Sequence, residues 1–259
     1  MLLIATTMRC DTAGVRRLVE KGADIDQVDE NGRTALLMAS IFDHLEIATV
    51  LLEQGADVNK PAIFPPSILA MPRVTPMFVA ISSDQLDTAQ LLSSYGAARA
   101  FTIGFGTRIN ITAEELAKRL RHANLAAWLV TSCKWTTPLH HLTIIPAARA
   151  HALLRNGASI LAASSAPGDP TPLSLARSLH AKGEAAEGSA AALVLKAAAP
   201  WSRATHELFP DAARAYAVQM LLVGHRLSRL PNYESVAQAV IDLWVDHMMP
   251  HIVGPRESE

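Results

Sequence analysis

The chain has 259 residues, a formal net charge of -1 and only 5% aromatic residues. A near-neutral chain has no global basic field to attract nucleic acid or an anionic membrane surface, and so few aromatics disfavour a β-sandwich. Two cysteines, Cys10 and Cys133, offer neither a zinc cage nor a C-x-x-C redox pair, and the chain has no run of about 18 apolar residues to span a bilayer. The expectation is a cytoplasmic or nuclear protein with no cofactor.

The opening MLLIATTMRCD lacks the basic start and long apolar core of a signal peptide, and it begins inside a helix, as a piece of a longer array would. VRRLVEKGADID at Val15 to Asp26 realigns with ATVLLEQGADVN at Ala48 to Asn59, so that Leu18 meets Leu51, Gly22 meets Gly55 and Asp26 meets Asn59, each 33 residues on. A fixed period of this size signals stacked supersecondary units. AQLLSSYGAA puts Gly96 one period plus eight residues after Gly55, with the extra residues in the insert Lys60 to Arg73. Next comes GFG at Gly104 to Gly106, which lacks the third glycine and the following helix of a dinucleotide site and reads as a glycine hairpin. Thr112, in a glycosylation-like sequon with Asn110, suits the N-cap of a helix. After it, Leu116, Leu120, Leu125 and Leu129 keep helical spacing, as in a degenerate repeat or a linker.

HALLRNGASI, around Gly157, resumes the pattern. Ahead of these glycines stand TALLMA from Thr34, TPMFVA from Thr75 and TPLHHL from Thr137, and TPLSLA from Thr171 follows Gly157. GEAAEG at Gly183 to Gly188 has phosphate-loop spacing, but Ser189 stands where Lys is required; it reads as a flexible linker. Beyond Pro200 the rhythm stops and two helical stretches follow. The first carries Ala213, Tyr216, Ala217, Met220, Leu221 and Gly224 on one face; the second carries Val236, Val240, Leu243 and Trp244, with His247 next. That face is apolar enough to dock as the cap a repeat array needs at its end. His247 and His251 share helical spacing, but Pro250 lies between them and no third ligand is near, so they are read as ordinary histidines and not a metal site.

These segments resemble the ankyrin-repeat family, whose signature is a T-P-L-H-x-A helix start and an L-L-x-x-G-A-D helix end with a period near 33. The resemblance is strong to residue 100, faint over 101–135 and good from 136 to 180. It implies an all-α ankyrin-repeat solenoid with five or six repeats: repeats over 1–100, a degenerate repeat or linker over 101–135, repeats over 136–199, and a helical cap or adaptor segment over 200–259. Thr34, Thr75, Thr137 and Thr171 would cap first helices, with Pro76, Pro138 and Pro172 at N1. Gly22, Gly55, Gly96 and Gly157 would take the left-handed residue that ends second helices. The resemblance gives His140 the role of tying the loop to Thr137 by hydrogen bonds, and it makes Asn59 a hydroxylation candidate. Leu230-Pro231 before a helix is loosely similar to F-box or SOCS-box modules, which would make ubiquitin-ligase subunits alternative partners.

No G-x-S-x-G or H-E-x-x-H occurs, so the chain reads as a non-enzymatic binder of a partner protein. Met38, Ile41 and Phe42, spaced i, i+3 and i+4, are expected together on the concave side. Val79 and His141 stand at the same first position in later repeats, and Arg33 is counted with this surface. The competing reading has the insert, with Ile63, Phe64, Ile68 and Leu69, folded over the cluster. One consequence of the assigned register is that Gly55→Val destabilises the protein by more than about 1 kcal/mol, because a β-branched residue resists positive φ. Chemical denaturation checks this, and an unmoved midpoint would mean the register is misplaced.

Overall fold

Polar caps and left-handed turns cut an alanine- and leucine-rich chain into short helices. The computed structural model describes residues 2–62, 73–103, 109–163, 168–230, 232 and 236–252, in two units, Met1–Lys134 and Trp135–Glu259.

Among its described residues the first unit holds four helix pairs: α1 (Leu2–Met8) with α2 (Thr12–Glu20), α3 (Ala35–Ile41) with α4 (Leu45–Glu53), α5 (Pro76–Ser82) with α6 (Leu86–Ser94), and α7 (Ala113–Arg119) with α8 (Ala123–Ser132). First helices pack in succession, α1 on α3, α3 on α5 and α5 on α7, as do α2, α4 and α6. Their starts are set by threonine hydroxyls. Thr34 accepts from the Leu37 N–H at 3.1 Å, Thr75 from Phe78 at 3.2 Å and Thr112 from Glu115 at 3.2 Å, each satisfying an N–H the helix leaves without a partner.

The ends are equally regular. Cys10, Asp43, Asp84 and Arg121 follow the four first helices with φ of 57°, 54°, 56° and 64°. The next N–H then reaches back along the helix, from His44 to the Ala39 carbonyl at 2.8 Å, Gln85 to Ala80 at 2.9 Å and His122 to Ala117 at 3.0 Å. This is the left-handed closure that satisfies orphan carbonyls. Second helices close the same way on Gly22, Gly55 and Gly96. At Gly55 a Cβ would meet nothing within 4 Å, so backbone conformation alone requires the glycine there.

Within 101–135 the structure has a fourth helix pair. Leu116, Leu125 and Leu129 are buried, whereas Leu120 is exposed, because the stretch is not one helix but two that part at Arg121. Before them a short antiparallel hairpin, β1 (Ala100–Ile103) with β2 (Ile109–Thr112), interrupts the α pattern, with Ala100 opposite Thr112. Phe101 and Ile111 are buried while Thr102 and Asn110 are exposed, the alternation a half-buried strand requires. Gly104 and Gly106 lie outside the described residues.

In the second unit, TPLHHL does not open a full first helix. It makes one 3-10 turn, Pro138–His140, before α9 (Ala147–Arg155). The β-branched run Thr143, Ile144, Ile145 is a poor helix former, and Pro146 excludes the helical region for the residue before it. The next pair is regular: α10 (Pro172–Ala181), capped by Thr171, and α11 (Ala190–Ala197), capped by the Ser189 hydroxyl at 3.3 Å. GEAAEG is thus the loop joining them, with Gly183 and Gly188 at positive φ.

Leu208 then enters the core formed by Leu154, Val194 and Ala197. Trp201 and Phe209 anchor a separate cluster with α12 (Asp211–Ser228), α13 (Ala237–Leu243) and α14 (Met249–Ile252). Between α13 and α14 the helix widens into a π turn at Trp244–Met248, and the Met249 N–H bonds the Trp244 carbonyl. Pro250 explains it: proline donates no N–H and crowds the carbonyl four residues back, and one wide turn absorbs both defects. Val245 and Met249 are therefore buried, with Ile241 and Trp244 half-buried against the same cluster. Val236, Leu243 and His247, expected on the docked stripe, are exposed, and so is Tyr216 on α12.

Trp244 lies over Gly224, and its indole N–H donates to the Met220 carbonyl at 2.8 Å. A Cβ on Gly224 would come within 2.5 Å of the Trp244 ring. In Gly224→Ala the helix gains about 1 kcal/mol of propensity but overpacking costs about 1–3 kcal/mol. The net expectation is a lower thermal midpoint with red-shifted tryptophan emission; a raised midpoint would contradict this packing.

Candidate functional site

The loop between α2 and α3 is built on one carboxylate. Asp29 Oδ1 accepts from the Asn31 and Arg33 backbone N–H groups, both at 2.9 Å, and Oδ2 accepts from Arg33 Nε at 2.7 Å and faces Nη2 at 2.6 Å. Burial alone would raise the Asp29 carboxyl. The Arg33 side-chain hydrogen bond, the two N–H donors and the guanidinium charge outweigh it and hold the group below its ordinary value. This rigid tip and α1 enclose a depression of about 310 Å3 lined by Ile4, Ala5, Met8, Asp29, Asn31 and Arg33, with Glu30 at its edge. Arg33, expected to contact a partner, is thus committed to Asp29, with 28% of its side chain still exposed.

The expected Met38, Ile41, Phe42 surface is only partly present. Met38 is 2% exposed. Every residue of α3 from Ala35 to Ser40 is buried, because the helix is covered by α1, α4 and α5 together, so it has no solvent face until its last turn. Ile41 and Phe42 emerge there, Phe42 45% exposed and stacked on His44 with ring centroids 5.8 Å apart. Val79 is half-buried against Leu37, Ala62 and Val74. His141 is also not on a groove: it is 5% exposed and meets the Trp135 ring edge-on at 4.8 Å, since the 3-10 turn replaces the helix that would have aimed it outward.

The repeat period places a further apolar side chain on this edge. Met8 stands one period of 33 before Ile41 and is 47% exposed, and α1 packs on α3. Met8, Ile41 and Phe42 therefore make an apolar edge across two repeats. It ends at the third, where Ser82 and Ser83 take the positions of Ile41 and Phe42. Applying the period to the helix ends would have found Met8. The insert residues Ile63, Phe64, Ile68 and Leu69 lie outside the described residues; the insert's base is pinned by an antiparallel bridge between Ala62 and Val74, with N–O distances of 2.9 and 3.0 Å.

The motif residues hold the frame. His140 Nδ1 lies 3.0 Å from the Thr137 hydroxyl and 3.3 Å from its N, while Nε2 is 3.1 Å from the Pro170 carbonyl, so one imidazole ties its own turn to the next repeat. Asn59 is exposed and spends its amide the same way, accepting from the Ala98 N–H at 2.8 Å and donating to the Gly96 carbonyl at 3.3 Å. Among the described residues no group of three His, Cys, Asp or Glu side chains is placed to hold a metal ion, and no helix is long and apolar enough to cross a membrane.

Residues 1–62 match the family model described as ankyrin repeats (3 copies). These N-terminal residues carry ankyrin repeats. No curated protein matches it. The matched ankyrin segment includes the Asp29 tip, the depression and the exposed edge.

A carboxyl held below its unfolded value adds stability at pH above that value, near 3.9, and loses it as pH falls through the lower folded value. Asp29→Ala should cost about 1–2 kcal/mol at neutral pH, a charged hydrogen-bond contribution discounted for solvent screening. It should also flatten the fall in stability under acid. Denaturation of both forms from pH 7 to pH 3 checks this, and parallel curves would mean Asp29 adds nothing.

Proposed function

We propose that this protein binds a partner protein through the edge formed by Met8, Ile41 and Phe42 and the adjoining Asp29–Arg33 tip, ankyrin repeats being in general protein-interaction modules. The observation that carries this reading is the exposure of large apolar side chains at equivalent positions of two neighbouring repeats, where packing of the repeats does not require them. Exposed apolar patches beside polar rims are characteristic of docking surfaces, and Met and Phe are favoured at their centres. Glu30, at the depression's edge, adds a carboxylate, so the fitting partner segment is apolar with a basic flank.

The ubiquitin-ligase adaptor reading rests on Leu230-Pro231 before an amphipathic helix, and Pro231 lies outside the described residues. The helices that would form such a box direct much of their apolar side onto Trp201 and Phe209. That arrangement favours a closing segment of the array over a free docking box.

Ile41→Ser with Phe42→Ser should abolish capture of the partner, a loss of at least about 2 kcal/mol if the edge is a binding hot spot. Being near the surface, the pair should cost only about 1 kcal/mol of stability. Affinity capture and thermal melting of this variant, with Val130→Ser as a control, test it. Unchanged capture, or unfolding in place of a binding defect, would sink the reading.

A further inference from the structure

A depression of about 290 Å3 opens between α12, α13 and the loop that precedes α12, close to the roughly 300 Å3 at which small-molecule sites begin. Its walls are apolar: Leu221 and Gly224 come from α12, and Ile241, Trp244 and Val245 from α13 and the π turn after it. The indole is a fixed wall, because its N–H is held by the Met220 carbonyl at 2.8 Å and Gly224 leaves room for the ring. Two polar side chains, Arg203 and His225, complete the lining, and both are exposed at the rim. Arg203 sits on a pinned loop, since the Ser202 N–H donates to the Thr205 hydroxyl at 2.9 Å and the Thr205 N–H donates to the Ser202 hydroxyl at 3.2 Å. Among the described residues neither the Arg203 guanidinium nor the His225 imidazole has a hydrogen-bond or ion-pair partner, whereas Arg155 and Arg214 in the same unit pair with Asp211 and Glu207.

We propose that this depression binds a small carboxylic acid with an apolar body, its carboxylate against Arg203 and His225 and its tail against Trp244. An apolar pocket with a few polar groups converging at one end is the general form of a small-molecule site, the walls supplying affinity and the polar groups orientation. The planar guanidinium matches a carboxylate with two parallel N–H donors, and an imidazole N–H adds a third. Asp242 and Asp246 set the charge the site accepts. They line an adjoining depression that shares Arg203 and Val245 with this one, and neither pairs with Arg203. One guanidinium and one imidazole beside two carboxylates suit a single negative charge better than the charge of nearly two on a phosphate monoester. An amine with the same tail would bring its charge against the guanidinium.

Four probes with one tail and different heads test this on the full chain: octanoate, octanol, octylamine and octyl phosphate, each followed by calorimetry and tryptophan emission. Octanoate should bind most tightly and shift the emission, and added salt should weaken octanoate but not octanol. Arg203→Ala should weaken octanoate by about tenfold, the loss of one charged hydrogen-bonding group discounted for its exposure. The same variant should leave octanol unchanged, which separates a lost anion contact from a collapsed pocket. If Arg203→Ala does not fold, His225→Gln carries the comparison. Trp244→Phe should remove the emission shift while calorimetry still registers octanoate. No binding of octanoate at millimolar concentration overturns the proposal, as does octanol, octylamine or octyl phosphate binding as tightly as octanoate. An octanoate affinity unmoved by both Arg203→Ala and His225→Gln, or an emission shift that survives Trp244→Phe, puts the ligand elsewhere and overturns it as well.

Discussion

The left-handed residue that follows every helix of the first unit except α8 is the constraint on which the rest of that unit depends. With a threonine start and a left-handed stop, first helices are held to seven residues and second helices to nine or ten. Helices this short are not stable alone in water, so each persists only by being covered. The closure sets direction as well as length: one residue at φ near 55–65° reverses the chain tightly enough for the second helix to lie back along the first. Glycine serves after second helices, where nothing further is asked of the position. Aspartate serves at two of the first-helix turns, where its strain is offset by a task.

That task is joining repeats. Asp43 accepts from the Thr88 hydroxyl of the following repeat at 2.8 Å, and Asp84 faces His122 at 3.5 Å. The loop edge has matching ties: Lys60 donates to the Asp26 carbonyl at 2.8 Å, and the Asp57 N–H bonds the Asp26 carboxylate at 3.1 Å. Exposed bonds of this kind contribute little individually. Their value is registry, because the interior between repeats is leucine, isoleucine and alanine, which would tolerate sliding. In the first unit, polar groups at both margins hold an apolar stack in step.

The same covering limits where a partner can bind. A first helix flanked by two neighbours, with its own second helix behind it, has no free side, so contact residues collect at helix ends and loop tips. That is where Met8, Ile41, Phe42 and the Asp29 tip lie. The C-terminal helices meet a different condition: they are neighbours of each other more than of a repeat, and Tyr216, Val223 and Leu243 among their large apolar side chains stay exposed.

The sequence by itself determined the period, the helix starts at threonine, the second-helix stops at glycine and the cap at Thr112, because each rests on a local backbone preference that needs only a few adjacent residues. Tertiary structure decided the rest. ALLMAS is apolar all round, so its periodicity carries no direction, and only the presence of α1, α4 and α5 decided that Met38 is core while Ile41 is not. TPLHHL carries the motif of a full helix, yet Pro146 and the residues before it stopped the helix after one turn and turned His141 inward. Spacing along α13 named the wrong side, because Ile241 and Trp244 pack toward Trp201 and Phe209, and the wide turn before Pro250 brings Val245 and Met249 inward with them. Residue preferences specify where a helix begins and ends; which of its sides is buried depends on neighbours distant in the chain.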